Sequence, residues 1–192
     1  MRALVFAVLM VALVPAAAVA QSGEGTLLIG GGLATGGFES KAGGTSADVD
    51  VDLGPQLGLS FTTPGEGGFI IGGLHYSPMR GSDDIWGSKK FGHLVPFLGV
   101  GLTMGERGGI FFGGNFSFWQ MDTDFDVDLK PALGLSGGMI IRQTGGWVGL
   151  FLHQARTEWT VEASPQDFEG KFEGLQIYLS AGLAIDFNHH RR

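Results

Sequence analysis

Residues 48–61 read DVDVDLGPQLGLSF, and this stretch constrains the chain more than any other. Val49, Val51, Leu53, Pro55, Leu57, Leu59 and Phe61 are apolar, and the even positions between them are polar or small. A period of two over such a length is a β-strand with two unlike faces. The pattern recurs at 25–36, 68–78, 92–104, 109–119, 127–141, 146–155 and 174–187, so eight strands are expected. TPGEG (63–67), GERGG (105–109) and RQTGG (142–146) are tight, Gly-rich turns. Longer, more charged links are expected at 37–47, 79–91, 120–126 and 156–173. Short turns at one end and long links at the other describe an up-and-down meander, which an even number of strands can close.

The composition of the two faces decides which way such a barrel is turned. A water-soluble strand carries Lys, Glu, Thr and Arg on its solvent face. Here the second face is mostly Gly, Ser, Ala, Asn and Gln, and glycine alone is counted 35 times in 192 residues. Small residues suit a narrow lumen beside Phe97, Phe111, Trp119, Trp147, Phe151 and Tyr178. The aliphatic face then points outward into hydrocarbon, and closure satisfies every backbone N–H and C=O there. The fold class expected is an all-β, eight-stranded antiparallel transmembrane barrel. Phe61, Tyr76, Phe91, Phe118 and Phe187 fall where interfacial aromatic girdles belong. The alternative is a secreted soluble barrel with its aliphatic face inside.

Residues 1–20 are of a different kind. Arg2, the apolar run ALVFAVLMVALV and the small residues Ala18, Val19 and Ala20 form a secretory signal peptide, which leaves 21–192 as the barrel. The chain has no cysteine, which removes disulfides and thiol chemistry, and a net charge of −7 argues against nucleic acid. No cofactor is indicated.

The signal peptide, the eight strands, VPFLGVGL (95–102) and a last strand ending at Phe187 together resemble the small bacterial outer-membrane β-barrels of the OmpA/OmpX-like superfamily. Pro96, Phe97, Gly99 and Gly101 match the P-[FY]-x-G-x-G pattern of that family. The resemblance implies the bacterial outer membrane as location. It implies outer-membrane lipids and lipopolysaccharide as surroundings, and a last strand read by the barrel-assembly machinery. In this chain NHHRR follows Phe187, a departure from a strictly terminal phenylalanine. A monomer is expected.

The two halves echo each other. DVDVDLGPQLGLS (48–60) matches DFDVDLKPALGLS (124–136) at ten of thirteen positions. GGFIIGGLH (67–75) resembles GGWVGLFLH (145–153), and LVPFLGVGL (94–102) resembles LQIYLSAGL (175–183). Strands one to four are read as repeated in strands five to eight.

Three sets of residues could carry chemistry. Asp48, Asp50 and Asp52 are expected to face Asp124, Asp126 and Asp128 across the outer mouth. They form either a solvated rim neutralised by Arg80, His93, Lys130 and Arg156, or a divalent-cation site. His75, His93 and His153 fall on the lumen parity. They either hydrogen-bond Gln176, Tyr178 and the carboxylates, with Tyr178 completing a ligand-binding group, or hold a metal as a trio. His75 and Ser77 resemble the His-x-Ser of outer-membrane lipid A deacylases. Pro78 stands where that family has Asn, no Glu follows at its spacing, and the motif is on the third strand, so no catalytic residue is assigned. The function expected is an integral outer-membrane barrel with a structural or surface-interaction role through extracellular loops bearing Trp86 and Trp159, and not an enzyme. A narrow channel or a cavity for a small or hydrophobic solute is the alternative, and a lipid hydrolase the third.

Overall fold

A computed structural model describes residues 24–42, 45–83, 87–122, 127–161 and 168–188; residues 1–20, expected to be a signal peptide, lie outside these. The described residues form β1 (Glu24–Ala42), β2 (Thr45–Gly65), β3 (Gly68–Asp83), β4 (Gly87–Met104), β5 (Gly108–Asp122), β6 (Val127–Gln143), β7 (Gly146–Val161) and β8 (Phe168–Asn188). Each strand pairs antiparallel with the next, and β1 pairs with β8 from Glu24↔Asn188 to Ala42↔Gly170, which closes the barrel. The tight turns lie where the glycines predict. Gly67, Gly105 and Gly145 adopt φ of 72°, 65° and 72°, a conformation that costs glycine little. Three of the four links expected as long loops, 37–47, 79–91 and 156–173, are mostly strand, and most of the fourth, 120–126, lies outside the described residues. β1 and β2 pair out to Ala42↔Thr45, β3 and β4 to Asp83↔Gly87, and β7 and β8 to Val161↔Phe168.

The strands are longer than a bilayer needs, and the barrel has two storeys. The lower storey, next to the tight turns, is turned inside out. Leu57 and Val100 are 67% exposed, Leu102 and Leu183 65%, in a girdle that runs around all eight strands. On β8 every second residue from Leu175 to Phe187 belongs to it. A soluble monomer rarely exposes an apolar patch above a few hundred Å². This girdle therefore marks a bilayer-spanning wall and overturns the soluble alternative. Behind it Leu28, Ile71, Val95, Phe97, Phe111, Trp147, Phe151 and Tyr178 fill the lumen. Glycines make the room: Phe69 lies across Gly101 and Gly109, where an added Cβ would come within 2.2 and 2.4 Å of its ring.

The upper storey has the ordinary orientation. Phe38, Val49, Val51, Met79, Phe91, Trp119, Trp159 and Phe172 are buried inside. Asp48, Asp50, Asp52, Arg80, Lys90 and Glu158 are exposed on the outer wall. Three expectations are corrected here. Val49 and Val51 share the apolar parity of Leu57 in sequence yet point into the lumen. Phe91 is 5% exposed and Trp159 4%, so neither is an interfacial or loop aromatic. Trp86 lies outside the described residues.

In β2 a bulge carries the apolar positions from the outer face to the inner one, whereas β3 and β7 keep a single inward parity through both storeys and change only the residues on it. Asp52 and Leu53 face outward in succession, and the pairing of β2 shifts against both β1 and β3. One extra residue exchanges the two faces of a strand. β6 repeats the device: Lys130 and Pro131 both face outward, and its pairing with β7 shifts between Pro131 and Ser136. Each bulge frees backbone groups that need partners near hydrocarbon, and neighbouring side chains supply them. Thr35 Oγ1 donates to Val51 O (3.2 Å), Ser77 Oγ to Pro55 O (3.0 Å), Thr157 Oγ1 to Lys130 O (2.6 Å) and Asn115 Nδ2 to Leu135 O (2.7 Å).

Candidate functional site

The lumen is the site, followed here from the tight-turn end outward. At that end a funnel of about 350 Å³ opens between Thr26, Thr62, Thr103, Arg142 and Asp186, with Phe69 and Ile140 toward its floor. The guanidinium of Arg142 pairs with Asp186, and Thr26 Oγ1 donates to the same carboxylate at 2.6 Å. Beyond the floor the aromatic rings interlock. Phe97 lies 5.9 Å from Phe111 and 5.8 Å from Phe151 between centroids, and Trp147 meets Phe151 edge-on at 6.0 Å.

The middle of the lumen is polar. His75 Nδ1 and His153 Nε2 share a hydrogen bond of 2.9 Å, and Ser136 Oγ is 2.6 Å from His153 Nδ1. His93 Nδ1 is 2.8 Å from the Tyr178 hydroxyl and stacks on Trp119 at 4.2 Å between centroids. Gln56 Nε2 donates to Ser180 Oγ. All of these polar side chains are buried. Parity explains the layer: His75, His93, Gln56, Ser136, His153, Tyr178 and Ser180 fall on inward positions beside the packed rings, and buried polar groups must find hydrogen-bond partners there. Gln56 Oε1, Ser60 Oγ, His75 Nε2, His93 Nε2 and both amide atoms of Gln176 are buried without a partner among the described residues.

The structure brings His75, His93, His153 and Tyr178 into this one layer, through two hydrogen-bonded pairs. Gln176 lies beside it without bonding a histidine. The aspartates are not gathered in the lumen: Asp48, Asp50, Asp52 and Asp128 are exposed on the outer wall, because each bulge reverses the parity that sequence alternation suggests. Asp124 and Asp126 lie outside the described residues. Among the described residues no three His, Asp or Glu side chains are grouped to hold a metal ion. Of the cations expected to neutralise the aspartates, Arg156 pairs with Glu173 and His93 is buried against Tyr178. Ser77 donates to Pro55 O, and the Nδ1 of His75 is taken by His153, so the His-x-Ser pair is engaged elsewhere. Gln56 and Ser136 are members of the layer that sequence reasoning missed. Their signal was a polar residue on the lumen parity of a strand interrupted by a proline, one position after Pro55 for Gln56 and five after Pro131 for Ser136.

The outer wall carries its own ion pairs. Glu39 meets Lys41 at 2.6 Å, and Arg156 Nε donates to Glu173 Oε1 at 2.9 Å. These cations hold both carboxyls below the ordinary carboxylate range, chiefly by hydrogen bonding.

No protein-family model matches the chain, and no curated protein does. Among solved structures it is similar to outer membrane protein AlkL in DMPC lipid bilayers. The TM-score is 0.58 at 15% identity, covering 88% of this chain and 92% of that one. Ail, the attachment invasion locus protein of Yersinia pestis, overlaps with a TM-score of 0.45 at 12% identity, over 84% of this chain and 98% of its own. Neisserial surface protein A overlaps at 0.38 and 8%, over 82% and 96%. The last two scores are too low to carry an argument, and the first speaks to fold alone. Aliphatic girdle, closed sheet, tight turns at one end and polar middle layer agree with it: the chain has the fold of the small eight-stranded bacterial outer-membrane barrels.

Proposed function

We propose that the protein is a closed outer-membrane barrel that acts through its outer wall, in a structural or surface-interaction role, and not through its lumen. The observation that carries this reading is the filling of the lumen. Phe97, Phe151, His75, His93 and Tyr178 are at most 1% exposed, and the upper cluster of Phe38, Trp119, Trp159 and Phe172 lies above them at no more than 6%. A water-filled passage would leave such side chains wet. Eight strands enclose a space that side chains can fill. The upper storey meanwhile lifts a charged wall clear of the girdle, where it is free to meet the cell's surroundings and the phosphate-bearing headgroups of lipopolysaccharide. Phe187, 44% exposed at the foot of β8, suits the strand signal of barrel assembly.

Purified barrel in planar bilayers tests this. No conductance steps are expected, and sustained steps from refolded, heat-modifiable protein would overturn it. Replacing Asp48, Asp50 and Glu158 with Ser should reduce cell-surface interactions while leaving the barrel folded.

A second reading, passage of a hydrophobic solute through the wall, has one observation in its favour. β5 and β6 pair from Gly108↔Ile141 to Ser117↔Ala132 and no further among the described residues. Above that point β5 follows β4, β6 follows β7, and Arg156 N of β7 donates to Ser117 Oγ behind the gap (3.4 Å). A disulfide between Phe118→Cys and Pro131→Cys would lock this seam in a chain with no other cysteine. Loss of apolar-solute uptake on oxidation would favour passage, and unchanged uptake would dismiss it.

A further inference from the structure

His75 and His153 occupy matching places in GGFIIGGLH and GGWVGLFLH and meet at the barrel axis, yet their surroundings differ. Directly opposite His153 in the β6–β7 ladder stands Ser136, whose hydroxyl bonds the ring. Directly opposite His75 in the β2–β3 ladder stands Gly58, which has no side chain. The ring of His75 lies over that glycine: a Cβ there would be 2.8 Å from Cδ2 and 3.0 Å from Nε2. The Nε2 has no partner, and the Oε1 of Gln56, 3.6 Å from the same point, has none either. The two atoms do not bond each other. Exchanging the oxygen and nitrogen of the Gln56 amide would place its Nε2 at this position and leave the distance from there to His75 Nε2 unchanged. Outside this stretch of wall Leu57 and Leu59 face hydrocarbon, so bulk solvent does not reach it.

We propose that one water molecule binds in the lumen beside Gly58, bridging His75 Nε2 and Gln56 Oε1. It does for His75 what the Ser136 hydroxyl does for His153. A buried water needs at least two polar partners, and this site supplies them. The result is one hydrogen-bonded chain from wall to wall: Ser136, His153, His75, water, Gln56, Ser180. A neutral imidazole donates from one nitrogen and accepts at the other, so the chain has two polarities. When the water donates to His75 Nε2, His75 Nδ1 donates to His153 and His153 Nδ1 donates to Ser136. When His75 Nε2 donates to the water, every one of these bonds reverses. The water donates to Gln56 Oε1 in both states. This site is independent of the proposed surface role.

Water-edited solid-state NMR of the histidine-labelled barrel in lipid bilayers is the test. Magnetisation from water should reach the His75 ring and fail to reach His153, both of whose nitrogens bond protein groups. In Gln56→Leu the transfer to His75 should be lost while heat-modifiable gel mobility still reports a closed barrel. Absence of transfer to His75 in the wild type would overturn the proposal, as would undiminished transfer in a folded Gln56→Leu. Equal transfer to His75 and His153 would also overturn it, and would point to a wetted lumen instead, a failure that bilayer conductance would register separately. If Gln56→Leu does not fold, the wild-type contrast between the two rings decides alone.

Discussion

β2 carries two apolar sets, a few residues apart, that point in opposite directions. Val49 and Val51 are 2% and 6% exposed inside the upper storey; Leu57 and Leu59 are 67% and 48% exposed on the girdle of the lower one. The chemistry of the side chains is nearly the same, so propensity does not separate them. What differs is the medium outside the wall. Where it is water, aliphatic side chains go in and aspartates go out. Where it is hydrocarbon, most aliphatic side chains go out and the lumen receives Gly, Ser, Gln and His among its packed rings. The bulge at Asp52 and Leu53 is the mechanical joint between the two regimes.

If each storey has a true core, removing a central ring from either should cost alike. Phe151→Ala below and Trp119→Ala above are each expected to lose about 3–5 kcal/mol, the usual cost of emptying a packed aromatic site. Urea titration in lipid vesicles, read by gel mobility, measures both. A negligible loss for Trp119→Ala would mean that the upper storey is a frayed extension and not a second core.

Charge on the wall sharpens the contrast further. Leu57→Arg puts a cation on the lipid face and should cost about 2–4 kcal/mol if Leu57 lies near the bilayer midplane. Asp50→Arg, seven residues earlier on the outer wall, should leave the urea midpoint in place. Equal effects would erase the boundary between the storeys.

The eight strands, their turns, the inverted wall and most of the inward aromatics could be read from the sequence, because alternation and glycine turns are local signals. The direction of Val49, Val51 and the three aspartates could not, because alternation runs unbroken through the bulge while the backbone does not. Pro55 and Pro131 were the available warning. A proline inside a strand belongs at an edge or a bulge; both lie at bulges, and Pro131 also lies where the β5–β6 pairing stops. The histidine layer was half legible: parity placed the rings in the lumen, but which ring meets which depends on the stagger of strands far apart in sequence.

The bulges should be worth less than the cores and more than the surface. Ser77→Ala removes the donor to Pro55 O and leaves a carbonyl unsatisfied, which costs about 1–3 kcal/mol when no water replaces it. Thr157→Ala does the same to Lys130 O, higher on the wall where water is nearer, so its effect should be the smaller of the two. A reversed order would place the hydrocarbon boundary above β6's bulge.

The smallest expected effect belongs to the outer wall alone, and it depends on pH. Arg156 holds the Glu173 carboxyl below its ordinary range, so the folded state binds that proton less readily than the unfolded chain does. The contribution is therefore complete at neutral pH, and it fades as pH falls through the lowered value and the carboxylate is neutralised. The midpoint difference between wild type and Arg156→Gln should be small and constant above the carboxylate range, shrink in acid, and weaken with added salt, since both groups are solvated. Leu57→Arg loses stability by placing an always-charged group against lipid, and its cost should not follow pH in this way. A Glu173 pair that ignored both acid and salt would have to be shielded from solvent, and the charged wall could then not be the water-facing side on which the comparison of storeys rests.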